Sequence, residues 1–250
     1  MKFVKIKKEE GIATAVLSRG KVNALNETVI DELTDGFRRL AEDGDTRAVI
    51  LTGEGKFFTF GFDIPEFLQY PRESFVRYLT KFTDLYTDIF LFPKPVIAAL
   101  NGHTIAGGCM LAISCDYRLM VPGKAKISLN EINFGSSLFA GSVEMMKFWV
   151  GTRYAERAVC TGEMYGADEA LRMGLIDQIV SPEELYAEAN KVARYYSGKD
   201  GAAFRSIKYL VRKSLADDFM GKERESISEF VDIWYSENTW KNLQDKVIHG

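Results

Sequence analysis

Hydrophobic and polar residues alternate like a strand over residues 2–7, and residues 12–17 ("IATAVL") form a second β-rich segment on the other side of the turn "KEEG". Two such segments around a glycine-bearing turn predict a β-hairpin. The period then lengthens. Asn26 can cap a helix in which Val29, Leu33, Phe37 and Leu40 recur at helical spacing. The runs "RAVILTG", "PVIAALNG" and "DYRLMV" read as buried strands separated by helical stretches. Strands alternating with helices imply an α/β fold. "SPEEL" at 181–185 offers a serine cap, a proline at the first helical position and a glutamate at the third, which predicts a helix from there through Tyr196.

From about Ala202 the pattern is helical to the end. Ile227, Phe230, Val231 and Trp234 share one face, with Trp240 and Leu243 further on. A terminal helix seldom needs so much apolar surface, so this face must bury itself on the core or on another subunit. Between Phe67 and Phe92 the aromatics Phe75, Tyr78, Phe82, Tyr86 and Phe90 recur too densely for a solvated helix; a ligand tunnel and a helix packed into the core both give this pattern, and the core is the expected reading. No repeat or low-complexity linker is seen. A soft boundary at "SGKDG" (197–201) divides a core, residues 1–198, from a helical region, residues 199–250.

Composition narrows the function. The chain has 250 residues, 46% of them hydrophobic and 27% charged, enough for one sizeable core with a smaller appendage. A formal charge of -3 and no Lys/Arg block interleaved with aromatics argue against nucleic acid as partner. An odd cysteine count, Cys109, Cys115 and Cys160, suits reduced thiols in a reducing compartment. With no signal-peptide pattern and no membrane-length apolar run, a cytoplasmic protein without membrane insertion is expected.

Metal chemistry is poorly supplied. His103 and His249 are the two histidines, and the cysteines show no ligand pairing, so no metal is expected. His103 is expected to be structural and the cysteines to be packing residues. "GHTIAGG" lacks the Lys-Ser/Thr of a phosphate loop, and its glycine spacing is not that of a dinucleotide fold. What remains is backbone chemistry. A strand ending at "LNG" followed by Gly107 and Gly108 leaves free N–H groups at the positive end of a helix, where they can hold an anion or an oxyanion. Close helix packing would explain the same glycines. A second glycine turn, "GKFFTFGFDI" at 55–64, tilts the balance, because two such turns can aim two donors at one oxygen.

"FFTFGFDIPEF" followed by "KPVIAALNGHTIAGGCMLAISCDYRL" resembles the crotonase superfamily, the enoyl-CoA hydratase/isomerase group, and the likeness continues through "YGADEALRMGLIDQIVSPEEL" to the C-terminal helices. The resemblance implies a crotonase-like spiral of ββα turns, a C-terminal helical trimerisation region, and an acyl-CoA thioester as substrate with no further cofactor. A homo-trimer or a dimer of trimers is implied with it. Carried onto matching positions, the two N–H groups that hold the thioester oxygen belong to Phe62 and Gly107. "KVNALN" matches the stretch that lies along coenzyme A, which makes Val22, Asn23 and Ala24 candidate CoA contacts, as are Asp63 and Ile64 through the backbone.

The hydratases of this family use two glutamates. Here the first of those positions is Met110 and the second, in "ISLNEI", is Glu131. A surface or capping glutamate is the plainer explanation of Glu131, but its surroundings are apolar. Hydration asks for one group to activate water and another to return a proton, whereas moving a double bond from position 3 to position 2 needs one base that shuttles a proton on one face. The single acid therefore points to a 3-enoyl-CoA isomerase, which "CDYRLM...ISLNEI" also resembles. Met110, Phe134, Leu138 and Phe139 are expected to line the substrate pocket. The alternatives are another reaction of the family, hydration or thioester hydrolysis, and a non-catalytic acyl-CoA binder.

Overall fold

The structure is a computed structural model that describes residues 1–249, with side chains through 244, so the side chain of His249 lies outside the described residues. The predicted hairpin is present. Strands β1 (Val4–Glu9) and β2 (Ile12–Leu17) pair antiparallel from Val4 opposite Leu17 to Glu9 opposite Ile12. A two-residue loop must then twist with the strands, and Glu10 and Gly11 do so with φ of 49° and 81°. Helix α1 (Glu27–Glu42) starts where Asn26 Oδ1 accepts the Val29 N–H at 3.1 Å, and it buries Val29, Ile30, Leu33, Phe37 and Leu40.

Thereafter one unit recurs: a strand in the first sheet, a strand in a second sheet, then a helix. Strand β3 (Ala48–Gly53) is followed by β4 (Phe57–Thr59), the short α2 (Ile64–Phe67) and α3 (Arg72–Phe90). Next come β5 (Val96–Leu100), β6 (His103–Ile105) and α4 (Gly107–Ser114), then β7 (Tyr117–Met120), β8 (Ile127–Ser128), a 3-10 turn over Glu131–Phe134, and α5 (Ala140–Thr161), which is kinked at Gly151. Helix α6 (Ala167–Met173), β9 (Gln178–Ile179) and α7 (Leu185–Ser197) follow, and α8 (Gly201–Trp234) and α9 (Glu237–His249) end the chain. The larger sheet runs β1-β2-β3-β5-β7-β9 and the smaller β4-β6-β8, parallel except for the hairpin. This is the expected spiral of ββα turns.

Two expectations need correction. Helix α7 begins at Leu185 rather than after Ser181, because Ser181 and Glu184 close a turn of their own: the Glu184 N–H reaches the Ser181 carbonyl at 3.1 Å and the two side chains bond at 2.7 Å. The C-terminal helix is not continuous either. It breaks at Tyr235 and Ser236, where the Ser236 carbonyl accepts the Trp240 N–H at 2.9 Å and starts α9.

The aromatic face of α3 is core: Phe75, Tyr78, Phe82, Tyr86 and Phe90 are fully buried. Helix α8 covers it, with Phe230 and Trp234 against Phe75 at ring distances of 6.2 and 4.7 Å. The face formed by Ile227, Phe230, Val231 and Trp234 is thus buried within the same chain. Further back, α8 is pinned by charge. Buried Asp116 meets Lys208 at 2.8 Å and Arg212 at 3.1 Å, and its Oδ2 also accepts the Val96 N–H at 2.7 Å. A buried carboxylate so surrounded is fully matched, and it ties the first turns of α8 to the start of β5 and β7.

Candidate active site

The two glycine turns meet. The loop after β4 lies beside residues 22–25, held by Phe60 N–H to the Val22 carbonyl at 3.0 Å, Leu25 N–H to that of Gly61 at 2.8 Å and Asp63 N–H to that of Leu25 at 3.1 Å. Gly61 has φ +87°, and a Cβ there would stand 2.9 Å from the Ile105 carbonyl oxygen and 3.2 Å from the Gly107 nitrogen. Its missing side chain is what lets this loop close against the start of α4. On the other side Ala106 has φ 54° and ψ -121°, a conformation costing a non-glycine residue on the order of 1–3 kcal/mol. That strained residue turns the chain so that α4 opens at Gly107. Among the described residues neither the Phe62 nor the Gly107 N–H donates to another group, although both neighbours of Phe62 are engaged. The Phe62 ring, edge-on to Tyr78 at 5.2 Å and Phe82 at 4.9 Å, fixes the loop that carries its N–H.

A cavity of about 90 Å³ lies at this junction, bounded in part by Phe60, Phe62, Ile64, Ala106, Glu131, Phe134 and Ser136 from the spiral and by Phe230 and Trp234 from α8. Glu131 opens the 3-10 turn after β8 and is 5% exposed. Its Oε2 is buried with no hydrogen-bond partner. Burial pushes its carboxyl up to about 8, against which a bond from its own backbone N–H works only weakly. A carboxyl so placed can hold or release a proton near neutral pH, in a cavity that is also bordered by Phe62 and by Ala106, the residue before Gly107.

The other predicted site residues divide. Phe134 and Ile64 line the cavity through their side chains. The N–H groups of Asp63 and Ile64, expected to meet coenzyme A through the backbone, are engaged with the Leu25 and Phe62 carbonyls. Asn23, with φ 51°, is buried, and its amide donates to the Glu54 and Phe57 carbonyls at 3.0 and 2.9 Å. That side chain bolts the 19–24 segment to the β4 loop and is not presented to a ligand. Val22 and Ala24 flank it half-buried, and Arg19, paired to Asp63 at 2.6 Å, straps the same segment down. Met110, Leu138 and Phe139 are not among the residues that line the cavity. Met110 points into the core because α4 is buried on all sides, and Phe139 packs behind the cavity against Phe230 at 4.7 Å.

Sequence reasoning missed Phe60, Asn130, Ser136, Phe230 and Trp234 as cavity residues. Phe230 and Trp234 were visible as part of an oversized apolar face, but which cavity they close depends on the path of α8. His103 opens β6, with its ring 5.3 Å from that of Phe57 and 6.3 Å from that of Phe60.

Comparison with known proteins gives one consistent picture. A family model described as enoyl-CoA hydratase/isomerase matches residues 7–237. A crotonyl-CoA hydratase of Syntrophomonas wolfei is 33% identical over 219 residues, 85% of this chain and 82% of that protein. The mitochondrial enoyl-CoA delta isomerase 1 of Rattus norvegicus is 29% identical over 246 residues, 94% of this chain and 82% of that protein. Among solved structures, the human mitochondrial delta3-delta2-enoyl-CoA isomerase superposes with a TM-score of 0.93 at 26% identity, covering 99% of this chain and 97% of that one.

Proposed function

The chain belongs to the enoyl-CoA hydratase/isomerase family, and from that premise we propose that it is an isomerase that moves the double bond of a 3-enoyl-CoA to position 2, with Glu131 as its proton shuttle. The observation that carries this reading is the acid count at the cavity. Among the described residues one carboxyl, that of Glu131, borders it, and the position where the hydratases place their other glutamate is a methionine buried in the core.

The chemistry balances with that set. A 3-enoyl thioester places its carbonyl oxygen between the Phe62 and Gly107 N–H groups. Ionised Glu131 takes a proton from the α carbon, and the electron pair moves onto the thioester oxygen as an enolate. Each donor of such a pair contributes on the order of 3–4 kcal/mol to that charge. The dienolate collapses with a new double bond between the α and β carbons, and protonated Glu131 returns its proton to the γ carbon on the same face. Nothing is gained or lost, so one group suffices. The apolar walls, Phe62, Phe134 and Phe230, disfavour free water near the intermediate.

Hydration of a 2-enoyl-CoA is the reading to set against it, favoured by the likeness to a crotonyl-CoA hydratase. The purified protein given 3-hexenoyl-CoA and, in parallel, 2-hexenoyl-CoA decides between them. Growth of the ultraviolet absorbance of a conjugated thioester at unchanged product mass is the expected result. A product heavier by one water would make it a hydratase, and free CoA thiol a thioester hydrolase. No product of any kind, with acyl-CoA bound, would leave a binding protein.

A further inference from the structure

The direction of the Phe62 N–H is set by its neighbours. Residues 61–63 lie parallel to Leu25: the Leu25 N–H donates to the Gly61 carbonyl at 2.8 Å, and the Leu25 carbonyl accepts the Asp63 N–H at 3.1 Å. In a parallel pairing the residue between two such bonds, here Phe62, turns its own N–H away from the partner strand. Where that N–H points therefore follows from where Leu25 is held. Two side chains hold it. Asn26, the next residue, caps α1 and donates to Glu66 Oε2 at 2.9 Å. Tyr78, on α3 and fully buried, donates its hydroxyl to the Leu25 carbonyl at 3.1 Å. That carbonyl then accepts two hydrogen bonds, one for each lone pair. Burial raises the Tyr78 hydroxyl well above its ordinary range, so it remains a donor at any working pH. Its ring lies 5.2 Å from that of Phe62, edge-on, and 4.2 Å from that of Phe67 in α2. Packing asks only for the ring, and a phenylalanine would supply it. The hydroxyl has a different partner, the backbone that aims Phe62.

We propose that Tyr78 is a positioning residue, whose hydroxyl, acting through Leu25, aims the Phe62 N–H at the reacting oxygen. This rests on the reading of the Phe62 and Gly107 N–H groups as an oxyanion pair and adds to it the residue that directs one of them. Tyr78 is not among the residues that line the cavity, so its hydroxyl acts on the reaction through the backbone alone. Direction matters because a hydrogen bond weakens steeply as its angle falls toward about 120°, and reacting groups have to be held within roughly 0.5 Å and 10–20° of their working geometry.

Acetoacetyl-CoA reads the pair without turnover. This 3-ketoacyl thioester has no double bond to move, and loss of an α proton gives an enolate that absorbs at longer wavelength than the keto form. The ratio of enolate to keto form is measured with saturating ligand on the wild type, Tyr78→Phe and Tyr86→Phe, at the pH where half of the ligand bound to the wild type is enolate. Tyr86→Phe is the control: it also removes a buried hydroxyl from α3, but one bonded to Glu223 rather than to the loop. Tyr78→Phe is expected to lower the ratio about 3- to 10-fold, the worth of one net hydrogen bond. Its kcat for 3-hexenoyl-CoA should fall by a similar factor with KM nearly unchanged. The control should keep the wild-type ratio. The variant folds with every buried backbone group at this junction still paired, since the Leu25 carbonyl keeps the Asp63 N–H. A wild-type ratio in Tyr78→Phe, or an equal fall in both variants, would overturn the positioning role and leave the oxyanion reading standing. If acetoacetyl-CoA does not bind the wild type, or binds with no more enolate than in free solution, the oxyanion reading falls and takes the role of Tyr78 with it.

Discussion

Glu131 carries the chemistry proposed above and, with it, a measurable cost. In the unfolded chain its carboxyl titrates near 4.5, and folding lifts it to about 8 by burial. Between those two values the native state keeps a proton that the unfolded state has lost, so the stability linked to this group is present at acid pH and drains away as the pH rises to about 8. Glu131→Gln has no such proton. Its melting temperature relative to wild type should therefore climb as the pH is raised across that window, and a constant difference would contradict the buried, neutral acid. Activity is expected to run the other way, because the proposed proton shuttle starts from the base form. The kcat/KM of the wild type for 3-hexenoyl-CoA should rise with pH and level off above about 8. Glu131→Gln should lose roughly 10²- to 10⁴-fold in turnover with acyl-CoA affinity retained, and turnover within tenfold of wild type would remove Glu131 from the mechanism.

At the scale of elements, the site is a meeting of two strand-to-helix turns, and its tolerances are set by backbone. A Cβ on Gly61 would press on the Ile105 carbonyl and the Gly107 nitrogen at φ +87°, so Gly61→Ala should move the Phe62 N–H away from the Gly107 N–H. The expected result is a loss of about 10²- to 10³-fold in kcat, the worth of one oxyanion donor, with a smaller change in KM; full kcat would show that these turns do not act on the reacting oxygen. This junction was legible in the sequence to the extent that glycine pairs announce it, and so were the hairpin, α1 and the strands "RAVILTG" and "PVIAALNG", whose patterns are local. The smaller sheet was not legible. Its strands are two or three residues long, too short for any period to show, and they form because each follows a long strand of the first sheet. Nor was the spent amide of Asn23, since nothing in "KVNALN" says that three carbonyls lie within its reach.

At the scale of the whole molecule, α8 is inside out over one stretch. It buries Lys208 and Arg212 on Asp116 and turns Ile207, Leu210 and Val211 outward at 61%, 77% and 56% exposure. A helix that faces water throughout its outer side would arrange these residues the other way round. From sequence alone the stretch "SIKYLVRK" gives no sign of this inversion, because its cations look like the solvated face until Asp116 is brought beneath them. The cations hold α8 in place from within, so the apolar band is free to serve another surface. A second copy of this chain is the expected occupant, in keeping with the trimer or dimer of trimers that the resemblance implies. Sedimentation of the wild type should then give an oligomer, and Leu210→Glu combined with Ile207→Lys should shift it toward monomer, because charges cannot be left unpaired in such a contact. The dissociated variant should also show a lower melting temperature that depends less on protein concentration than that of the wild type. A wild type that sediments as a monomer at micromolar concentration would leave the inverted stretch without this explanation, and an oligomer that survives both charges would place the contact elsewhere on the surface.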